Sequence, residues 1–308
     1  MTRIPFVLLL AAAVAPWSSP AQERPAGPAG RLRIDVVAVD QQGQPVPDLR
    51  PAEFEVWISG YRVPIVDVFA VTPEAQTRSI VLILDNGAIG PNLAPRVREA
   101  ARHVVNKMAP GDRLAIVPLH GGAMELTGDR SQLLRAIEAY YAQGVPFRPE
   151  DGGQHVLSTM ALLARRLAEA SDGRKTIVAI GAGWMFDTPL PPPGVRDLQT
   201  EWVDAMRAMA GTNTSLYVID PAGLSMVQGA GRFGGASGFA RETGGYAFLN
   251  TNDLAGAAAR IWAEAGTYYI LETANPPVQR TADLRELDVK VLRKRVTVRA
   301  RRGIKGRP

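Results

Sequence analysis

SIVLILDNGAIGP, residues 79 to 91, is the stretch whose reading decides the fold. Its Ile, Val and Leu run without polar alternation, which describes a strand covered on both faces, as in parallel sheets flanked by helices. The run ends on Asp85 and a loop of small residues. In such sheets ligands gather beyond the carboxyl ends of the strands, so Asp85 stands where a site belongs.

Outward from this strand, residues 78 to 266 alternate strand and helix. A helix is predicted from Ala94 to Met108, with Val97, Ala101, Val104 and Val105 on one apolar face. RLAIVPL follows as a strand, AMELTGD as a short antiparallel neighbour, and then helices over 131–142 and 155–170. KTIVAIG, a helix over 198–210, SLYVID, a short helix through Phe239, the strand GYAFL and a helix over 252–265 complete the series. This order predicts an α/β fold of three layers, with a mostly parallel, doubly wound sheet.

The flanks read differently. RLRIDVVAVD, FEVWIS and VPIVDVFAV are strands separated by QQGQPV and by a turn at Gly60, which makes residues 31 to 75 an antiparallel β segment. TYYILET, LRELDVKVL and RVTVRA make residues 267 to 302 a second one. Neither is large enough to hide a core alone. The two are therefore expected to pair into one small β-rich module built from both chain ends, with the α/β domain inserted between them.

Composition narrows the function. In a chain of 308 residues, Thr2 and Arg3 precede an apolar run, Ile4 to Ala15, and Ser19-Pro20-Ala21 offers a cleavage site. Residues 1–21 thus read as a secretory signal and 22–30 as a linker, which places the protein in the periplasm, at the cell surface or outside the cell. With no cysteine, the chain has no disulfide, thiol catalysis or thiolate metal site. The net charge of +5 is uneven. Residues 285 to 308 carry ten Lys or Arg against Glu286 and Asp288, more than the whole net charge, so the preceding chain is acidic. The basic stretch lacks the aromatic platforms of a nucleic-acid binder, and it reads as a solvated strand face ending in a basic tail, residues 303 to 308. Weak contact of that tail with anionic surfaces is the remaining use for it.

The strand ending in Asp85, the element order from 78 to 266 and the string FARETGGYAFL resemble a von Willebrand factor A domain. VVAVDQQGQPVPDLRPAEFEV and TVRARRGI extend the resemblance to a bacterial exported family, of acidobacterial type, described as VWFA-related. The resemblance implies a magnesium or manganese site built from a DxSxS loop, a threonine loop and an Asp after the fourth strand. Position by position, Asp85 is kept, while Gly87 and Ile89 replace the two serines. Gly152, Gly153 and Gln154 stand for the threonine loop, and Gly181, Ala182 and Gly183 for the second acidic loop. The implied metal site is degenerate. Asp85 is left as a loop organiser, with Asn86, Gly87 and Gln154 around it, accepting backbone N–H bonds without a metal. No cofactor is expected.

Other chemistry is thin. His120, His155 and Asp85, with Asp151 nearby, offer an alternative reading as a zinc site, though without the short helical spacing that makes ligation predictable. VQGAGRFGGASGF lacks the lysine of a phosphate loop and a strand leading directly into it. No GxSxG or paired-carboxylate arrangement occurs, so no enzyme activity and no small-molecule substrate are expected. Trp184, Met185 and Phe186 follow the fourth strand beside the proline-stiffened DTPLPPPG and read as apolar anchors for a protein partner; their alternative is inward packing. The sequence reading is an exported protein-binding module. Beside it stand a metal-dependent binder or metalloenzyme using Asp85, His120 and His155, and an envelope scaffold held by the basic tail, Arg293 to Arg307.

Overall fold

The computed structural model describes residues 31–143, 149–170, 173–181, 198–224, 234–274 and 284–305. The signal and linker assignments, on residues 1–30, lie outside them. The chain opens with β1 (Arg31–Val39), β2 (Phe54–Ile58), β3 (Tyr61–Val63) and β4 (Ile65–Val71). β2 and β3 form a hairpin in which Ile58 faces Tyr61 across Ser59 and Gly60, at φ 49° and 81°. Two positive φ values give the turn the twist that lets the strands stay paired. Pro64 then interrupts what reads in sequence as one strand, VPIVDVFAV. Lacking an N–H, it marks the point where the chain leaves one sheet and enters another, so β3 and β4 belong to different sheets.

The middle of the chain gives β5 (Ser79–Leu84), α1 (Ala94–Asn106), β6 (Arg113–Pro118), α2 (Arg130–Glu138), α3 (Pro149–Ala170), β7 (Lys175–Ile180), α4 (Gln199–Gly211), β8 (Thr214–Ile219), α5 (Gly234–Glu242), β9 (Tyr246–Phe248) and α6 (Leu254–Gly266). The five strands make one parallel sheet in the order β6-β5-β7-β8-β9. Ile80, Leu82 and Leu84 face α1, α2 and α6, whereas Val81 and Ile83 face α3, α4 and α5. Burial on both sides is why the β5 sequence shows no alternation. The three-layer architecture expected from the sequence is the one the chain forms. AMELTGD contributes only a single antiparallel bridge, Leu114 to Thr127, and α3 starts six residues before the expected 155. No described helix is long and apolar enough to cross a membrane.

The last segment adds β10 (Tyr268–Ala274), β11 (Leu284–Val291), β12 (Thr297–Ala300) and β13 (Gly303–Lys305). N-terminal and C-terminal strands combine in two four-stranded sheets: they alternate in β12-β1-β10-β4, and in β13-β11-β2-β3 a pair from each end meets at β11 and β2. Ile34, Val36, Phe54, Val56, Tyr269, Leu271 and Leu287 fill the space between them.

The basic end of the chain corrects its sequence reading on two points. Residues 303–305 are a strand paired with β11, not a tail. Several arginines are paired, Arg293 at the surface and Arg299 and Arg301 further in. Arg293 bonds Glu53 and Asp48, and this holds the Glu53 carboxyl down at about 2. Arg299 pairs with Glu264 of α6, which Arg260 also reaches at 2.7 Å. Arg301 donates to Asn213 at 3.0 Å and to the Arg33 carbonyl at 2.7 Å, and Asn213 in turn donates to Asp35 at 2.7 Å. Lone arginines are costly to bury, so Glu264 and Asn213, the partners of Arg299 and Arg301, tie the β module to the α/β domain.

Candidate functional site

Strand order reverses direction between β5 and β7, and the chain brings Asp85 to that point. Its N–H donates to the carbonyl of Ile180, the last residue of β7, at 3.0 Å. Reversal of this kind opens the crevice where ligands sit in open α/β sheets.

Asp85 is fully buried. Its Oδ1 accepts from the N–H groups of Gly87 and Ala88, both at 3.0 Å. A carboxylate bonding the backbone two and three residues ahead holds a tight turn by itself. The Asp85 carbonyl accepts the Tyr140 hydroxyl at 2.6 Å. Burial, then the nearby Asp85 charge, pushes the Tyr140 phenol well above its ordinary value, so it stays protonated and can donate. Asn86 exchanges two bonds with the His120 backbone, donating at 3.2 Å and accepting at 2.8 Å, while its own carbonyl accepts from Gln143 N–H at 2.8 Å. Ile89, at the position of the second serine, is buried in the core against α1. The loop thus has a packed anchor at one end and hydrogen bonds along its length.

Asp220, at the end of β8, repeats the device: it is buried, and its Oδ1 accepts from Ala222 N–H at 2.9 Å. Arg96 of α1 ties this neighbouring loop down, donating to the Pro221 carbonyl at 2.7 Å and to Asn252 at 3.2 Å.

The structure brings His120 and His155 together. Their rings stack with centroids 4.4 Å apart and planes 8° from parallel. His155 lies in the second turn of α3, not at its start, and its Nε2 is 2.7 Å from the Leu119 carbonyl, so that nitrogen carries the proton. Desolvation and then the His155 ring lower the His120 pKa, with Asp85 acting the other way.

Neither implied metal fits these residues. An imidazole binds a metal in its ring plane, and two stacked, nearly parallel planes share no point where one zinc ion can sit. For magnesium, Gly87 and Gly181 offer no side-chain oxygen, Ile89 is in the core, and Asp85 Oδ1 already serves its loop. Among the described residues no three His, Cys, Asp or Glu side chains gather as a metal-binding group. Gln154 is half-buried in α3 beside His155.

No family model and no curated protein matches this sequence. Among solved structures, the chain is similar to the manganese-loaded TRAP protein of Plasmodium vivax, with 14% identity and a TM-score of 0.42 over 76% of this chain and 96% of that one. It is also similar to a mutant PilB minor pilin of Streptococcus sanguinis, with 12% identity and a TM-score of 0.39 over 61% of this chain and 60% of that one. The fold stands on its own strand order and register.

Trp184, Met185 and Phe186 lie outside the described residues, as does the side chain of Asp151. Tyr140 is the residue that sequence reasoning missed. It is 55 positions from Asp85 and carries no motif, so only the packing of the α2 end against the β5 loop reveals it. Among the described residues, the Asp85 and Asp220 loops are each braced by their own carboxylate and by Arg96, His120 or Tyr140 from neighbouring elements.

Proposed function

We propose that this chain is an exported, von Willebrand factor A-like protein-binding module that works without a metal. The observation that carries the reading is the Asp85 loop. It is a preorganised rim whose carboxylate is spent on two backbone N–H groups, with the isoleucine at a metal-ligand position buried in the core. A rim rigid before binding loses little entropy on association. Trp184, Met185 and Phe186, directly after β7 in the sequence, are the proposed apolar anchors for a protein partner. The stacked rings of His120 and His155 speak against the metal-dependent alternative. The pairing of Arg293 with Glu53 and the inward pairing of Arg299 and Arg301 speak against an envelope scaffold held by the basic end.

Two measurements test this. Thermal unfolding after chelation, with magnesium, manganese, calcium and zinc added singly, is expected to show no shift. A bound metal at a hundredfold its dissociation constant adds about 2.7 kcal/mol and would raise the midpoint by several degrees. A photo-crosslinking residue in place of Met185, in the native host, is expected to yield a discrete protein adduct that Trp184→Ala abolishes. A metal-dependent shift, or no adduct at this position, overturns the proposal.

A further inference from the structure

A second recognition site lies away from the rim, where the edges of two sheets meet. β9 is the outer strand of the parallel sheet and β12 the outer strand of one sandwich sheet, and among the described residues neither has a strand on its free side. The two edges converge at an antiparallel bridge between Thr243 and Arg301. Gly244, at φ 78°, permits this approach, since a Cβ there would sit 2.8 Å from the Arg301 nitrogen. Beyond the bridge they diverge around a cavity of about 480 Å³, a volume typical of ligand sites at module boundaries.

The lining has a definite chemistry. Leu287 and Val289 of β11 give an apolar side, while Arg241, Arg299 and Arg302 bring positive charge. Asp288, the acid in the lining, has Lys290 at 3.7 Å. Arg302 lies 3.7 Å from Glu242 and is largely exposed. Arg299 is the central group. Its Nη2 meets Glu264, yet its buried Nε has no hydrogen-bond partner, a costly state for a charged donor. Its guanidinium lies 5.1 Å from the Tyr246 ring, which Arg260 also flanks at 4.2 Å, so the group is held in place before any ligand arrives.

Two open strand edges ask for backbone N–H and C=O groups, and the arginines ask for a carboxylate. An extended peptide with acidic side chains on one face and apolar ones on the other supplies both. We propose that the cleft between β9 and β12 binds an acidic peptide segment by strand addition, its carboxylate meeting Arg299 and Arg241. The site stands independently of the rim proposed above.

The test uses the whole chain and a fluorescent, end-capped peptide of alternating valine and glutamate, followed by anisotropy. The expected result is saturable binding that slows hydrogen exchange at β9 and β12. The glutamine counterpart should bind about tenfold more weakly or worse, as should the acidic peptide to Arg241→Glu. Arg241 is exposed, so that variant should keep the parent's unfolding midpoint, which separates loss of binding from loss of fold. Four results each overturn the proposal: no binding of the acidic peptide at millimolar concentration, equal binding of the glutamine peptide, protection confined to other strands, or free glutarate binding as tightly as the peptide. The last would reduce the cleft to a simple anion site.

Discussion

At the rim, the buried Asp85 carboxylate serves N–H groups two and three residues ahead in its own loop. At the seam between the β module and the α/β domain, the buried Glu264 carboxylate serves Arg260 on its own helix and Arg299 from the far end of the chain. Both solve the same problem, a charge removed from water, with partners of different reach. A locally satisfied carboxylate shapes one loop and leaves the rest of the molecule alone. One satisfied across the chain couples two parts of the fold, and its loss is felt in both. The contrast also explains why the expected metal position is closed while unfilled donors occur at the seam. The Asp85 carboxylate finds its partners within its own loop, whereas the seam gathers Arg174, Arg299 and Arg301 with buried Nε atoms that no hydrogen bond reaches.

The largest expected effect separates these two modes. Glu264→Ala should cost about 3–5 kcal/mol in urea unfolding, because it leaves Arg299 and Arg260 without their shared partner. A loss below about 1 kcal/mol would mean that solvent already compensates these arginines and that the seam is not a coupled unit. Asp85→Ala should cost less, about 2 kcal/mol, since it orphans two loop N–H groups but breaks no link between modules. Asp85→Asn, which keeps an acceptor, should recover much of that; equal losses for both variants would show that charge, not loop bonding, is what matters. Smaller again is Tyr140→Phe, at about 1 kcal/mol for one hydroxyl donated to the Asp85 carbonyl. Its signature should be faster hydrogen exchange in residues 85–90 with the seam unchanged, and an effect spread over the whole chain would erase the distinction drawn above.

The smallest effect concerns pH. His120 titrates below its ordinary 6.5 in the folded chain because of burial and the His155 ring. The unfolded chain therefore binds more protons in the interval between the two values, and stability rises with pH across it. The contribution from neutral His120 is complete above 6.5 and fades as the pH falls through the folded value. Midpoints measured from mildly alkaline to mildly acidic buffer should fall less steeply in His120→Gln than in the parent. Parallel slopes would remove His120 from the account of the rim.

Particular residues show what was legible in the sequence. The unbroken apolar run of β5 announced burial on both faces, because side chains on a two-sided strand have no solvent face to mark. Asp85 followed by small residues announced a tight loop, since the partners of its carboxylate are its nearest neighbours. The Pro64 break between sheets was hidden, because VPIVDVFAV satisfies the strand pattern on both sides of the proline. The inward turn of Arg299 was hidden for a related reason: basic residues alternating along a strand read as a solvent face unless a buried acid lies opposite. Glu264 is that acid, and it sits in another helix.

Sequence by itself determined the layers, the parallel sheet and the tight turn at Asp85, because apolar periodicity and short-range hydrogen bonding are properties of neighbouring residues. Tertiary structure alone decided the stacking of His120 on His155, the Tyr140 clasp, the arginine seam and the open cleft between β9 and β12. Each of these joins residues far apart in the chain, and only the packed fold sets the distance and angle at which they meet.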